Sequence, residues 1–363
     1  MNNLKKIGLT ALAGSLVTLG ATAGEMSVSG GINTTLKFGK GGGNTGRSIG
    51  ADRDVTFSGS GELDNGTTFS VSTTTNDSIG LSASTTTITT PSLGSFMIGN
   101  GTGGLSGAYD EEVPQAYEQV SDSTGKGVGN SVGNFLDKNH VSYTSPTLDL
   151  MGASVTAHVE YSPMASDTDV GDGGQATYSA AVGDGKSLGL TIGYEGLKLG
   201  FYGAERSRTV PYTQIATGNY AHDEFNGVWY AKYTMGPVSL GYSESYIDAG
   251  VTSAISTSST TTAKTIRSVG GIFTGEQMSI AFNVNDNMSI SYTSSDETYD
   301  TQDHAASAVT TDDDVTESID AIQVAYSMGG MSIKAYNMEI TNPDQDDNAA
   351  DQSVTEIALG FAF

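Results

Sequence analysis

The chain has 363 residues, of which 37% are hydrophobic and 16% charged, with 48 Gly, no Cys and a formal net charge of −25. Without Cys there are no disulfides and no thiolate metal sites, and so large an acid excess excludes nucleic acid as a partner. The low apolar content fits a disordered low-complexity surface protein or a membrane barrel whose apolar residues form a thin band around a wet lumen. Regularly recurring turns favour the barrel.

Met1–Ala23 has the features of a secretory signal peptide: a charged start at Lys5 and Lys6, an apolar stretch from Ile7 through Leu19, and an Ala21-Thr22-Ala23 exit. Cleavage after Ala23 is expected, which leaves residues 24–363 as one domain and, with two lysines gone, a net charge of −27. Gly8, Thr10, Gly14, Ser15, Thr18 and Gly20 make the apolar stretch too weak for a transmembrane helix, and no later run does better. An exported chain of this kind enters a membrane only as a closed barrel, which satisfies every backbone group internally.

Met26, Val28, Ile32, Leu36 and Phe38 alternate with polar residues and predict a first strand. Val55, Phe57, Gly59, Gly61 and Leu63 predict a second, closed by Asp64-Asn65-Gly66, where Asn-Gly points to a type I′ turn. Phe69 and Val71 continue, Asn76-Asp77-Ser78 turns, Leu81 to Ile88 returns to Pro91-Ser92-Leu93-Gly94, and Ser95 to Gly99 forms a fifth strand. The longest connection, residues 100–137, follows. Beyond it, short turns at Glu195-Gly196, Gly236-Pro237, Asn285-Asp286-Asn287 and Gly329-Gly330 alternate with polar stretches near 162–186, 207–226, 248–264, 294–317 and 341–352. The span Lys264 to Val284 is the least regular, being long and holding Gly270, Gly271 and Gly275. At the end, Ser353, Thr355, Ile357, Leu359, Phe361 and Phe363 share one face.

The expected fold is therefore all-β: a sixteen-stranded antiparallel transmembrane barrel with short periplasmic turns and eight long outer loops, both chain ends lying on the periplasmic side. Tyr143, Tyr161, Tyr194, Trp229, Tyr230, Tyr233, Tyr242, Tyr292 and Tyr326 fall within or at the ends of these strands and suggest aromatic girdles at the membrane boundaries. Each is also simply a good strand former.

Particular motifs add a family resemblance. Tyr143-Thr144-Ser145-Pro146 is similar to the strand-six motif of the Gram-negative general diffusion porins, and Arg53 to Gly66 resembles their second strand and first periplasmic turn. The terminal Phe363 resembles the signal that the barrel assembly machinery reads in outer-membrane proteins. The nearest resemblance is to the porins of alphaproteobacteria. It implies a homotrimer in outer-membrane lipid that conducts small polar solutes and ions passively, with the loop 100–137 folded inward as a constriction. Acids on that loop, Asp110, Glu111, Glu112, Glu118 and Asp122, would face bases on the wall, for which Lys37, Arg47, Arg53 and Lys138 are the candidates. Arg53 shares parity with Val55 and Phe57 and needs a bulge or an end position to turn inward. With few bases for many acids, cation preference is expected; a solvated loop face is the plainer account of the same acids. A flat apolar wall near the chain ends is the expected trimer contact, and Asn76-Asp77-Ser78 a candidate latch. A substrate-selective channel differs only in lumen side chains and stays open as an alternative. An adhesin is the more distant one, since no fixed repeat is visible.

Other chemistry is weakly signalled. Gly129-Asn130-Ser131-Val132-Gly133 matches a nucleophile elbow, and Gly99 to Gly104 a dinucleotide spacing, but neither has the strand-to-helix setting that gives those patterns meaning. His140, His158, His222 and His304 lack ligand spacing, and no enzyme activity or required cofactor is expected. Calcium is the one metal considered, in the acidic outer loops at Asp167, Asp169 and Asp172 or at Asp312-Asp313-Asp314. Gly171 and Tyr178 rule out an EF-hand geometry at the first cluster.

Overall fold

Period-two alternation places successive side chains on opposite faces of a strand, and a closed ring of such strands separates an apolar outside from a polar inside. The structure, a computed structural model, describes residues 26–41, 45–75, 80–101, 104–121, 132–136, 139–165, 182–208, 220–248, 250–252, 272–300 and 314–362. The expected signal peptide, Phe363 and Asn76-Asp77-Ser78 lie outside them.

Seventeen segments form one antiparallel sheet whose first member pairs with its last, Gly31 opposite Ala362 through Lys40 opposite Ser353. His140–Thr144 and Leu148–Leu150 both pair with Ala153–Ser162 and are halves of one interrupted strand, so the barrel has sixteen strands. Pro146 causes the interruption because it has no N–H for the ladder. Ser145 bridges it: its N–H donates to the Ala157 carbonyl at 2.9 Å, and its hydroxyl accepts from the Ala157 N–H at 2.9 Å.

In chain order the strands are β1 Ser27–Lys40, β2 Gly46–Glu62, β3 Thr68–Thr75, β4 Leu81–Thr90, β5 Gly94–Asn100, the split β6, β7 Ala153–Ser162 and β8 Val182–Tyr194. They continue as β9 Leu197–Arg208, β10 Glu224–Met235, β11 Val238–Asp248, β12 Ile272–Asn285, β13 Met288–Asp300, β14 Val315–Met328, β15 Met331–Thr341 and β16 Gln352–Ala362. A small ladder, Tyr220–Ala221 with Val251–Thr252, ties the β9–β10 connection to the β11–β12 connection.

The short turns all fall at one end of the barrel. Glu195-Gly196 is a two-residue hairpin with positive φ at both positions, 44° and 86°, as a type I′ turn requires. Asp64-Asn65-Gly66 departs from the type I′ expectation. Of these three only Gly66 has positive φ, at 78°. The Gly66 N–H donates to the Leu63 carbonyl at 2.9 Å and the Leu63 N–H to the Thr67 carbonyl at 2.8 Å. This is a type I turn followed by a left-handed glycine, and the Asn65 side chain accepts from Thr67 N–H at 3.0 Å instead of contributing a left-handed backbone.

Strand lengths make the barrel lopsided. β3, β4 and β5 have 8, 10 and 7 residues, whereas β12, β13 and β14 have 14, 13 and 14. β2 belongs to both sides: it runs for 17 residues, beyond the expected start at Val55, and Val55 pairs with Thr75, the last residue of β3. Gly46–Asp54 therefore rises past β3 while still paired to β1. The polar stretches near 162–186 and 294–317 are likewise shorter than their composition suggests, since β8 begins at Val182 and β13 reaches Asp300.

Burial is inverted relative to a water-soluble protein. Leu188, Met278 and Ile322 are exposed on the outer face at 63%, 55% and 64%, as suits residues whose surroundings are lipid. Inside, Tyr109, Phe135, Leu136, Tyr202, Tyr230 and Phe273 are fully or almost fully buried in one cluster, and Val120, Ile319, Met338 and Ile340 in a second. Tyr230, expected in a girdle, faces inward and belongs to the first cluster. Tyr194, Tyr233 and Tyr326 sit beside the short turns on the outer face.

Candidate functional site

Both interior clusters contain residues of the loop between β5 and β6, so the interior of the barrel is organised around this loop. It enters through a short 3₁₀ turn, Leu105–Ala108, anchored at Glu160 of β7. Glu160 is fully buried and accepts from Leu105 N–H at 3.4 Å and from the Ser187 hydroxyl at 3.1 Å, with His140 Nε2 3.4 Å from the same carboxylate. A buried carboxylate left without such partners would cost several kcal/mol, which ties the root of the loop to the wall.

The loop then runs along the inner faces of successive strands. Tyr109 stacks on Tyr202 of β9 at 5.1 Å between centroids and lies 3.3 Å from the Thr191 hydroxyl of β8. Val113 and Pro114 rest on Gly241 of β11, where a Cβ would stand 2.2 Å from Pro114 Cδ. Only a residue without a side chain admits the loop there. The Ser279 hydroxyl of β12 donates to the Pro114 carbonyl, and Ala116 N–H donates to the Ser291 hydroxyl of β13 at 2.9 Å. Gln323 of β14 uses both ends of its amide on loop backbone: Oε1 accepts from Tyr117 N–H at 2.7 Å and Nε2 donates to the Glu118 carbonyl at 2.6 Å. The Tyr117 hydroxyl donates to Glu356 of β16 at 2.8 Å, and Tyr336 of β15 donates to the other Glu356 oxygen at 3.3 Å. Each neutral bond is worth roughly 0.5–1.5 kcal/mol net and those to Glu356 more, so the loop is held by many modest contacts in series.

The electrostatics centre on Glu112. It pairs with Lys232 of β10 and, at 3.5 Å, with Lys198 of β9. Both ammonium groups also stand over the Tyr230 ring, at 5.5 and 5.4 Å from its centroid. Lys334 of β15 lies 5.2 Å above Tyr117. Burial pushes the Tyr109 hydroxyl up to about 12, opposed by its Thr191 contact, and raises Tyr117 further still, with the bond to Glu356 adding to the effect. Both phenols stay protonated at any ordinary pH, and Tyr117 donates to Glu356 in that form.

Of the expected loop acids, Asp110, Glu111, Glu112 and Glu118 all lie on this inward segment; Asp122 is outside the described residues. They do not act alike. Glu111 is 3% exposed with φ of 44°, while Glu112 reaches the lysines. Among the expected bases, Lys37 is on the inner parity, directly opposite Glu356. Arg47 and Arg53 are not on it. The register sets Arg47 opposite Phe38 and Arg53 opposite Ile32, on the apolar outer face, and the Arg47 guanidinium lies 5.8 Å from the Phe38 ring centroid. No bulge in the β1–β2 ladder turns either inward. Lys138 lies outside the described residues, as do Asp167, Asp169, Asp172, Asp312 and Asp313.

The sequence reading missed the bases that do meet the loop, Lys198, Lys232 and Lys334. It also missed Asp52 and Asp54, which face inward opposite Asn33 and Gly31. Parity could have found them: Lys198 lies between Leu197 and Leu199, and Lys334 between Ile333 and Ala335. Around Asp52 and Asp54 the inner wall of the low side is hydroxyl-lined, with Thr56 and Thr74 bonded at 2.8 Å and Ser72 and Thr85 at 2.7 Å.

The family model for Gram-negative porins matches residues 8–297. No curated protein matches the chain. Among solved structures, Salmonella typhi OmpF in complex with daunomycin aligns with a TM-score of 0.66 at 11% identity, covering 93% of this chain and 98% of that one. A refined porin structure aligns at 0.61 and 14% over 93% and 100%, and an anion-selective porin from Comamonas acidovorans at 0.60 and 11% over 93% and 99%. At such identities the likeness is one of fold.

Proposed function

The chain belongs to the Gram-negative porin family, an outer-membrane channel by family and fold, and on that premise we propose that it is a passive, cation-preferring pore for small hydrophilic solutes. The observation that carries this reading is the asymmetric interior: the inward loop follows the wall from β7 to β16, while the inner face of β2 to β4 offers Asp52, Asp54 and a run of hydroxyls. Solutes would pass between the loop and this polar wall, sorted by size and charge, without nucleotide or covalent step. On the loop side Glu112 is matched by two lysines, whereas among the described residues Asp52 and Asp54 share their hollow with the single Lys334, so the excess negative potential would come from these two and from the acids at the mouth.

A homotrimer fits the low wall. β3 and β5 are shorter than the roughly 9–11 residues a tilted strand uses to cross lipid, and their outer faces present Phe69, Val71, Phe96 and Ile98. A partner barrel would cover that wall better than bilayer does. Export through cleavage after Ala23, recognition of Phe363 during assembly, and calcium in the acidic outer loops are parts of the same proposal. Planar-bilayer recording tests its centre: a large, unsaturable conductance with a reversal potential of the cation-selective sign is expected in a salt gradient. Block by a single solute would favour a substrate-selective channel, and an anion-selective sign would overturn the charge assignment.

A further inference from the structure

The outer face of the tall wall carries a groove that permeation does not use. Its floor is a row in direct cross-strand register, Leu188, Gly203, Gly227, Tyr246, Thr274 and Thr298, on β8 to β13. Gly203 and Gly227 add no side chains of their own to that floor, where the Phe225 ring packs against them, and the row borders a hollow of about 970 Å³. Gly227 is the fourth residue of β10, so the hollow lies towards the long-loop end, level with the outer leaflet in this family's orientation.

The lower rim changes character along its length. At β8 and β9 it is apolar, with Leu190 and Phe201. Trp229 of β10 follows, and then Glu244, Glu276 and Asp296 stand directly opposite one another on β11, β12 and β13. Like charges in directly opposed positions destabilise a sheet, and among the described residues lining the groove none is Lys or Arg. The carboxylates are nevertheless held in place: Trp229 Nε1 donates to Glu244 at 3.0 Å, Tyr242 donates to its other oxygen at 2.5 Å, and Ser318 donates to Asp296 at 2.6 Å.

We propose that this groove binds a membrane amphiphile with a cationic amine headgroup, its tail along Leu188, Leu190 and Phe201 and its headgroup among Glu244, Glu276 and Asp296. The groove fits such a ligand in three ways. Its apolar and acidic ends are separated along one axis, as in an amphiphile. The acid row needs a positive charge that no described residue lining the groove supplies, the nearby outer-face Lys186 being paired with Glu205. Trp229, between the two ends, offers the aromatic face to which ammonium groups bind best. The inference rests on the placement of this wall in the outer membrane and not on the selectivity of the pore.

Trp229 is the only tryptophan in the chain, so its emission reports on the groove alone. The full-length protein refolded in phosphatidylcholine vesicles would be titrated with dodecyltrimethylammonium, dodecylphosphocholine and dodecyl sulfate, which share one tail. A saturable change in emission is expected for the cationic probe at the lowest mole fraction. Glu276→Gln with Asp296→Asn should weaken that binding roughly ten-fold, the loss of two exposed charge contacts, while single-channel conductance stays unchanged and certifies that the variant barrel is folded. Equal responses to all three probes would overturn the proposal by showing unselective lipid contact. So would a response to dodecyl sulfate that appears only with added calcium, because the acid row would then be bridging a metal to an anionic headgroup.

Discussion

The low side of the barrel, β3 to β5, and the tall side, β8 to β14, obey the same alternation but use their inner faces differently. On the tall side inward residues such as Tyr202, Tyr230, Ser279 and Gln323 are buried because the inward loop covers them. On the low side the inward Ser70, Ser72 and Thr85 bond to one another or remain open to the lumen. A barrel wall is thus a scaffold on one side and a channel lining on the other, and the chain distinguishes the two by where it places glycine, amide and lysine rather than by hydrophobicity.

The strongest way to break that distinction is to dislodge the loop. Gly241→Leu puts a side chain into the space of Val113 and Pro114 and should cost about 1–3 kcal/mol while raising single-channel conductance; an unchanged conductance would mean that the loop does not set the width. Next in size, Lys198→Gln with Lys232→Gln leaves Glu112 uncompensated. The cation-to-anion permeability ratio should rise, by an amount on the order of 1 kcal/mol, read from the reversal potential. Asp52→Asn with Asp54→Asn should move the same reading the other way and less, since these carboxylates stand in the wetter half of the lumen.

A smaller effect is expected at alkaline pH. The raised Tyr109 value makes its contribution to stability complete below the ordinary phenol range near pH ~10 and lost as pH rises through about 12. Ultraviolet titration should find several tyrosines that ionise late, and Tyr109→Phe should reduce the late amplitude by one phenol while Tyr117 still titrates later. Smallest of all, Arg47→Gln and Arg53→Gln should leave the reversal potential unchanged because both side chains lie on the outer face. A shift would place them in the lumen after all.

Much of this protein is legible in one dimension. The strand count, the alternation, the turn at Glu195-Gly196 and the long connection between β5 and β6 are local patterns that depend on nearest neighbours along the chain, and they hold in three dimensions. Boundaries in polar segments were less legible: Gly46–Asp54 carries little apolar alternation, and only its pairing with β1 shows it to be strand. At the candidate site, parity already separates Lys37, on the lumen side, from Arg53, on the lipid side. What parity cannot supply is the partner. That Glu112 meets Lys198 and Lys232, that Tyr117 reaches Glu356, and that Glu244, Glu276 and Asp296 stand in one row depend on sheet register and on the path of a loop across ten strands. The sequence by itself determined a sixteen-stranded barrel with a long acidic connection after the fifth strand, because alternation is a property of adjacent residues. The tertiary structure alone decided which charges face one another, because partners tens of positions apart, and 120 apart for Glu112 and Lys232, become neighbours only through strand register and the path of the loop.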